Sequence, residues 1–123
     1  MRLVFMAYLK DSINAVDFYR KAFNAESRCY KHKDDDNFYA HAEIFINDQT
    51  VLALSDILHY DTAFTSGSNM QFWITFNDEK ALSEVYEVLK ENAKIHYALG
   101  PCEWCKAMAD FTDKYGVLWH LSL

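Results

Sequence analysis

The sequence contains little glycine, with only Gly67, Gly100 and Gly116 in 123 residues. None of the three lies in a glycine-rich loop after a strand. Such loops let the backbone approach the phosphates of a nucleotide-like cofactor. The sequence therefore gives no support to a cofactor site of that type.

Basic residues and long apolar runs are also scarce. There are 12 Lys plus Arg against 18 Asp plus Glu, a net charge of -6, and no basic run, so we expect no nucleic-acid partner. No stretch approaches the roughly 20 apolar residues of a membrane span, so we expect no membrane partner. Because Lys10 and Asp11 follow the short apolar start at residues 1–9, we expect no signal peptide in this segment.

Cysteine is limited to Cys29, Cys102 and Cys105. An odd number without the spacing of a disulfide framework predicts reduced thiols and a cytoplasmic location. Cys102 and Cys105 form a C-x-x-C pair, but it precedes a strand rather than a helix, and no second pair completes a zinc site. We favour packing roles for both, with adventitious oxidation left open.

Aromatic residues, in contrast, are abundant, at 16% of a sequence that is 51% hydrophobic. A single domain of this size buries roughly two-thirds of its unfolded surface. The aromatic content exceeds what one thin core hides. We therefore expect some rings to line a ligand cavity or a homodimer interface.

Periodicity predicts β-α-β-β-β in the first half of the chain. Asp11 or Ser12 can cap the helix, Asn24 suits a left-handed helix end, and Asn47-Asp48 is hairpin-turn chemistry. The predicted elements are strand 2–9, helix 11–23, a weaker strand 26–32, strand 38–46 and strand 50–55, with the charged residues 31–36 as a solvated segment.

The second half repeats this plan, with a cap at Asn77 or Asp78, a helix end at Asn92 and a turn at Asp113–Gly116. The predicted elements are strand 70–76, a helix from 78 to 92, and strands 94–98, 105–111 and 117–123.

Together the halves define an α+β fold class. We predict a single domain with module one at 1–56, a linker at 57–68 and module two at 69–123. Each module leaves one face of its mixed sheet uncovered by a helix. Two such curved sheets would form a cup between them, where a small molecule can bind.

Three segments carry a family resemblance: DFYRKAFNAE at 17–26, HAEIFINDQTVLALSD at 41–56 and DKYGVLWHL at 113–121. In combination they resemble the glyoxalase/bleomycin-resistance/dioxygenase (vicinal oxygen chelate) superfamily, and specifically its PhnB-like branch. The likeness covers nearly the whole chain. It implies paired β-α-β-β-β modules, often in homodimers.

The resemblance also implies a divalent metal held by His, Gln or Glu from four strands, acting as a Lewis acid. Gln71 and His120 match two ligand positions. The set is incomplete, unless His41, Glu43 or Asp56 substitutes, because the other two positions carry residues that cannot bind a metal: Leu3 or Phe5, and Ala53 or Leu54. Methyltransferase activity, often ascribed to PhnB-like chains, gains no support from the sparse glycines.

Three polar residues are candidates for chemistry. His120 lies opposite Val117 and Trp119 in strand alternation, so it is a metal ligand, a general acid or base, or a partly buried histidine bonded to a neighbouring strand. His41 and Glu43 share a strand face and are either a catalytic proton-transfer pair or a simple polar pair.

Three further residues are candidates for ligand binding. Trp73 could stack on a ligand or fill a dimer contact. Asp56 could orient a ligand, although an Asx-type turn is the favoured alternative. Trp104 lies where PhnB-like chains commonly carry Trp-Gly, but Cys105 replaces the glycine.

Two functions remain open. One is a protein that binds a small oxygenated molecule, with metal-dependent lyase, isomerase or dioxygenase-type chemistry implied by the resemblance. The other is a non-catalytic binder that sequesters a toxic compound, as bleomycin-resistance proteins do. A third possibility is a dimeric scaffold whose pocket is filled by its own aromatic residues, which a cup without room for a ligand would favour.

Overall fold

Each half of the chain forms a four-stranded mixed sheet with one helix against it. The computed structural model describes residues 1–59 and 64–123. Contacts divide the chain into two units, Met1–Thr65 and Ser66–Leu123. The predicted linker 57–68 includes residues 60–63, which lie outside the described part, so its bounds stay a prediction.

The first unit has strand order β1-β4-β3-β2, with β1 parallel to β4 and the other pairs antiparallel. Its elements are β1 (Met6–Leu9), α1 (Ser12–Phe23), β2 (Glu26–His32), β3 (Asp35–Ile46) and β4 (Gln49–Asp56), followed by a short 3-10 turn at Ile57–His59.

Two predicted turns of this unit are confirmed. Asn24 ends α1 in the left-handed region, with φ 48°, where asparagine is tolerated better than most side chains. Asn47 and Asp48 have φ 48° and 66°, the pair of positive values that a tight two-residue hairpin needs. The sequence therefore marks the end of α1 and the hairpin between β3 and β4, whose register shifts between Ile44 and Phe45.

The second unit repeats the topology, with order β5-β8-β7-β6 and β5 parallel to β8. Its elements are β5 (Phe72–Thr75), α2 (Glu79–Leu89), β6 (Lys94–Gly100), β7 (Met108–Thr112) and β8 (Leu118–Ser122). Asp78 caps α2 as predicted, because its carboxylate accepts the Ala81 backbone N–H at 2.8 Å.

Several predicted bounds are wrong. β7 begins at Met108 rather than at 105, since its pairing with β6 extends only to Gly100 and Met108 and leaves 101–107 as a loop. α2 ends at Leu89 rather than at Asn92.

The charged segment 31–36 is also mostly strand, because β2 and β3 continue pairing to His32 and Asp35 around a turn. β1 covers only the second half of the predicted strand 2–9. Among the described residues, no helix has the length and apolar character to cross a membrane.

Candidate functional site

A row of four side-chain positions crosses the sheet of the second unit. Trp73 pairs with His120, His120 with Asp110, and Asp110 with Tyr97. The neighbouring residue Phe111 lies on the helix side, since the ring centroids of Tyr86 in α2 and Phe111 are 5.6 Å apart. Because strand side chains alternate, the row lies on the face away from α2.

His120 is bonded to a carboxylate within this row. Its Nδ1 lies 2.7 Å from Asp110 Oδ1, and the same oxygen accepts the Gln71 Nε2–H at 2.8 Å. Gln71 Nε2 also lies 3.2 Å from the Trp119 carbonyl oxygen, which fixes the amide orientation. The two predicted metal positions, Gln71 and His120, are therefore brought together, with Asp110 between them.

The Asp110 contact sets the tautomer of His120. A carboxylate oxygen can only accept, so Nδ1 donates its hydrogen and the neutral ring carries its lone pair on Nε2. Nε2 has no hydrogen-bond partner among the described residues. Every fully buried polar side-chain atom of those residues has a hydrogen-bond partner. Since Nε2 has none, it is not fully buried and keeps some solvent access. Nε2 can therefore accept a hydrogen bond from an arriving molecule.

Trp73 covers His120. The ring centroids are 4.8 Å apart in an edge-on arrangement, and Trp73 Nε1 donates to Ser122 Oγ at 3.0 Å. Only 8% of His120 is exposed, whereas 70% of Trp73 is exposed. An indole held this way presents an apolar surface beside the imidazole, which suits stacking on a ligand.

Asp110 is a site residue that the sequence analysis missed. The available signal was the polar alternation of Asp110 between Ala109 and Phe111 in an otherwise apolar strand. Asp110 and His120 are also equidistant in sequence from Tyr115, at the middle of the 113–117 turn, so an antiparallel hairpin places them opposite each other.

His41 and Glu43 lie on β3 of the first unit, with His41 Nε2 3.8 Å from Glu43 Oε2. Glu43 Oε1 is bound more closely by others: it accepts from Arg2 at 2.6 Å and from Thr50 Oγ1 at 3.2 Å. This arrangement is an ion pair with a histidine nearby.

Burial raises the pKa of Glu43, but the hydrogen bonds from Arg2 and Thr50 and the charges of Arg2 and His41 outweigh it, so the pKa is below its ordinary value. A carboxyl with a lowered pKa is a weak base. Proton transfer by this pair stays a prediction, and the geometry suits a structural ion pair better.

A pocket of about 240 Å³ adjoins this ion pair. The Arg28 guanidinium stacks on Phe45, with its central carbon 4.6 Å from the ring centroid. The lining residues are Arg2, Arg28, Glu43, Phe45, Asp48 and Thr50. Both cations and carboxylates line the pocket, so its charge is mixed.

The other two candidates lie apart from these clusters. Asp56 is 1% exposed; its Oδ2 accepts the Ser12 N–H at the start of α1, and its Oδ1 accepts the Leu58 N–H, each at 3.0 Å. This is the Asx-type turn that was the favoured alternative. Trp104 lies in the 101–107 loop, 75% exposed, and no contact of the described residues links it to His120. Ligand roles for both stay predictions.

A divalent metal fits these residues poorly. Within 1–59 and 64–123, no three His, Cys, Asp or Glu side chains cluster as a metal site would require. The Nδ1 of His120 and the Nε2 of Gln71 both point at one Asp110 oxygen. The equivalent positions in the first unit include Ala53 and Leu54, which are fully buried and have no donor atoms.

The topology of both units defines the class of protein to which the chain is similar. A glyoxalase/bleomycin resistance protein/dioxygenase family enzyme from Burkholderia phytofirmans matches with a TM-score of 0.68 at 10% identity, over 96% of this chain and 94% of that one. The chain therefore has the glyoxalase/bleomycin-resistance fold, and the α+β fold of two β-α-β-β-β modules is confirmed.

Two further structures match with higher TM-scores. Protein PA1353 from Pseudomonas aeruginosa gives 0.86 at 17% identity, covering 99% of this chain and 96% of that one. The PhnB protein from Bacillus cereus gives 0.82 at 22% identity, covering 100% and 99%. The structural match to a PhnB protein confirms the predicted resemblance at the level of the fold. No family model and no curated protein sequence matches the chain.

Proposed function

We propose that the chain binds a small oxygenated molecule carrying a hydroxyl group, on the face of the second unit that holds Trp73, His120 and Asp110. The observation that carries the proposal is the orientation of His120 by Asp110, with Nδ1 at 2.7 Å from the carboxylate. This leaves Nε2 as an acceptor for a ligand O–H. The exposed Trp73 ring beside it supplies apolar contact.

Binding without a resident metal is the function that the donor set supports. A Lewis-acid site needs several ligands converging with open positions, and the described side chains offer only His120, Asp110 and an amide that is already engaged. We assign the site recognition through hydrogen bonding and stacking, and we assign no reaction step to it.

Tryptophan fluorescence tests this proposal. In a Trp104→Phe background, Trp73 is the exposed indole that reports on the site, while Trp119 is buried. A panel of phenols, hydroxyketones and hydroxy acids is titrated into metal-free protein. We expect at least one compound class to change the emission saturably, because it stacks on Trp73.

Matched variants identify the contact. Asp110→Asn presents an amide that can donate to His120 Nδ1, so the ring turns its N–H toward the ligand, and affinity should fall about tenfold, equal to about 1.4 kcal/mol. Thr112→Val, on the same strand and face, should leave the affinity unchanged. Equal binding by all variants, or binding only after Zn²⁺ or Mn²⁺ is added, would contradict the proposal.

A homodimer is the second part of the proposal. Large apolar side chains are exposed in both units, among them Leu3 at 72% and Phe5 at 52% in the first and Met70 at 69% in the second. Exposed aromatic and aliphatic groups of this kind are typical of surfaces that another chain covers.

A further inference from the structure

Cys102 and Cys105 lie together in the 101–107 loop that connects β6 to β7. Their sulfur atoms are 2.9 Å apart, both thiols are free, and both residues are partly exposed. A separation this short places the sulfurs closer than ordinary packing contacts between carbon atoms. Among the described residues, no hydrogen bond joins either sulfur to Trp73, His120 or Asp110.

The backbone of the loop holds the sulfurs together. The Cys102 N–H donates to the Cys105 carbonyl at 3.0 Å, which closes a tight turn around Glu103 and Trp104. The Tyr97 hydroxyl donates to the Pro101 carbonyl at 2.6 Å and ties the start of the loop to β6. The two thiols therefore meet because of main-chain geometry as well as side-chain rotation.

We propose that Cys102 and Cys105 form a dithiol site that a hydroperoxide oxidises to an intramolecular disulfide. In the first step Cys102 loses its thiol proton, its thiolate attacks the terminal peroxide oxygen and the O–O bond breaks; this gives a sulfenic acid on Cys102 and an alkoxide or hydroxide, which takes up the proton that Cys102 lost and leaves as an alcohol or water. In the second, the Cys105 sulfur attacks the Cys102 sulfur and expels the sulfenic oxygen as water, which takes up the Cys105 proton. Two thiols and one hydroperoxide thus yield one disulfide, one alcohol or water, and one water.

The assignment of the first attack to Cys102 follows from the contacts of its partner. The hydrogen bond with Cys102 and, to a lesser degree, burial raise the pKa of Cys105. A backbone hydrogen bond with Ala107 acts in the opposite sense and lowers the pKa, but the net shift is upward. Cys105 therefore keeps its proton and acts as the resolving thiol, since the thiolate form is the nucleophile.

Cys29 provides an internal control. It lies on β2 in the other unit and is also partly exposed, and the described residues place no second sulfur beside it. A generally oxidisable protein would modify Cys29 as readily as the pair. A dithiol site would leave Cys29 reduced at low oxidant.

The experiment treats the whole reduced protein with equimolar hydrogen peroxide and follows intact mass, free-thiol count and peptide maps. Wild type and Cys29→Ser should lose the mass of two hydrogen atoms and yield a 102–105 cross-linked peptide. Cys105→Ser should stop at a sulfenic acid on residue 102 that a dimedone probe traps. Cys102→Ser cannot form the disulfide. Any sulfenic acid on its remaining Cys105 should form more slowly than the sulfenic acid in Cys105→Ser.

A synthetic peptide covering residues 99–108 tests whether the fold brings the two sulfurs together, or only their closeness in sequence. The folded chain should close the disulfide at least about tenfold faster than the peptide, because the fold holds the two sulfurs together. Equal rates for chain and peptide, oxidation of Cys29 before the pair, or addition of oxygen without cross-linking would each overturn the proposal.

Discussion

At Asp110, one carboxylate oxygen accepts hydrogen bonds from His120 and from Gln71. Neither partner is adjacent to Asp110 in sequence, and both bonds are shorter than 3 Å. The oxygen fixes the imidazole tautomer and the amide orientation together. The chemical character of His120, an acceptor at Nε2, is thus decided by one residue on the neighbouring strand.

Glu43 provides a pH-dependent prediction at the scale of one residue. Its pKa is lowered in the folded chain, so the unfolded chain binds more protons at acid pH. The stability contributed by this carboxylate is present above the ordinary glutamate pKa of about 4.3 and is lost as pH falls through the lower folded value. Glu43→Gln should therefore reduce the acid-side loss of stability, measured as urea midpoints across a pH series.

Glu26→Gln is the matched control for this measurement, since Glu26 lies exposed on β2 of the same sheet. It should leave the acid-side slope close to that of the wild type. If Glu43→Gln and the wild type lose stability in parallel through the acid range, the ion pair with Arg2 contributes nothing to folding.

At the scale of elements, the turn between β7 and β8 is organised by Asp113, which is 4% exposed. Its Oδ1 accepts the backbone N–H groups of Tyr115 and Val117, at 2.8 and 3.0 Å. Its Oδ2 accepts the indole N–H of the fully buried Trp119 at 2.8 Å. One side chain thus sets the hairpin that places Asp110 opposite His120.

Asp113→Ala should lower the free energy of unfolding by about 3 kcal/mol, because it removes bonds to a charged acceptor and leaves the Trp119 indole N–H buried without its partner. Chemical denaturation of the variant measures the loss. Asp78→Ala, which removes the exposed cap of α2 in the same unit, should cost about 1 kcal/mol. If both variants lost the same free energy of unfolding, Asp113 would contribute no more than an exposed helix cap, and the prediction would be wrong.

At the scale of the whole molecule, the same topology occurs twice in one chain. The orders β1-β4-β3-β2 and β5-β8-β7-β6 correspond strand by strand, and each unit begins with a parallel pair. Each helix packs against its own sheet. Exposed apolar side chains on each unit are the physical reason to expect a second chain.

Sedimentation velocity tests the predicted homodimer. At micromolar concentration we expect the mass of two chains, and Phe5→Ser should weaken the association because it removes an exposed apolar ring that the second chain would cover. Lys80→Ser, a change at an exposed position on α2, is the control and should leave the mass unchanged. A clean monomer across the concentration range would contradict the prediction.

Local sequence signals account for most of the fold. Asn24, Asn47 and Asp78 mark a helix end, a hairpin and a helix start, and the structure has each where the sequence predicts it. The predicted strand bounds are wrong where strand pairing extends into a charged segment, as at Asp35. They are also wrong where the paired strand is shorter than the predicted one, as in β7, which begins at Met108. Strand length depends on the neighbouring strand, which no local pattern records.

The candidate site was predictable only in part. Gln71, Trp73 and His120 were candidates from alternation and from the family resemblance, and they do lie together. Asp110 was missed because its importance depends on the register of the hairpin. The short contact between Cys102 and Cys105 was likewise hidden, since a C-x-x-C pair in a loop can hold its sulfurs apart or together.

The sequence by itself determined the two β-α-β-β-β units, because side-chain periodicity and turn residues act over a few positions of the chain. Only the tertiary structure decided the hydrogen-bonded group of Gln71, Asp110 and His120, the ion pair of Glu43 with Arg2, and the dithiol in the 101–107 loop. Those contacts join residues on separate strands or across a turn. Their existence depends on the register and loop geometry that folding imposes, and hydrogen bonds and thiol chemistry are sensitive to shifts of a fraction of an ångström.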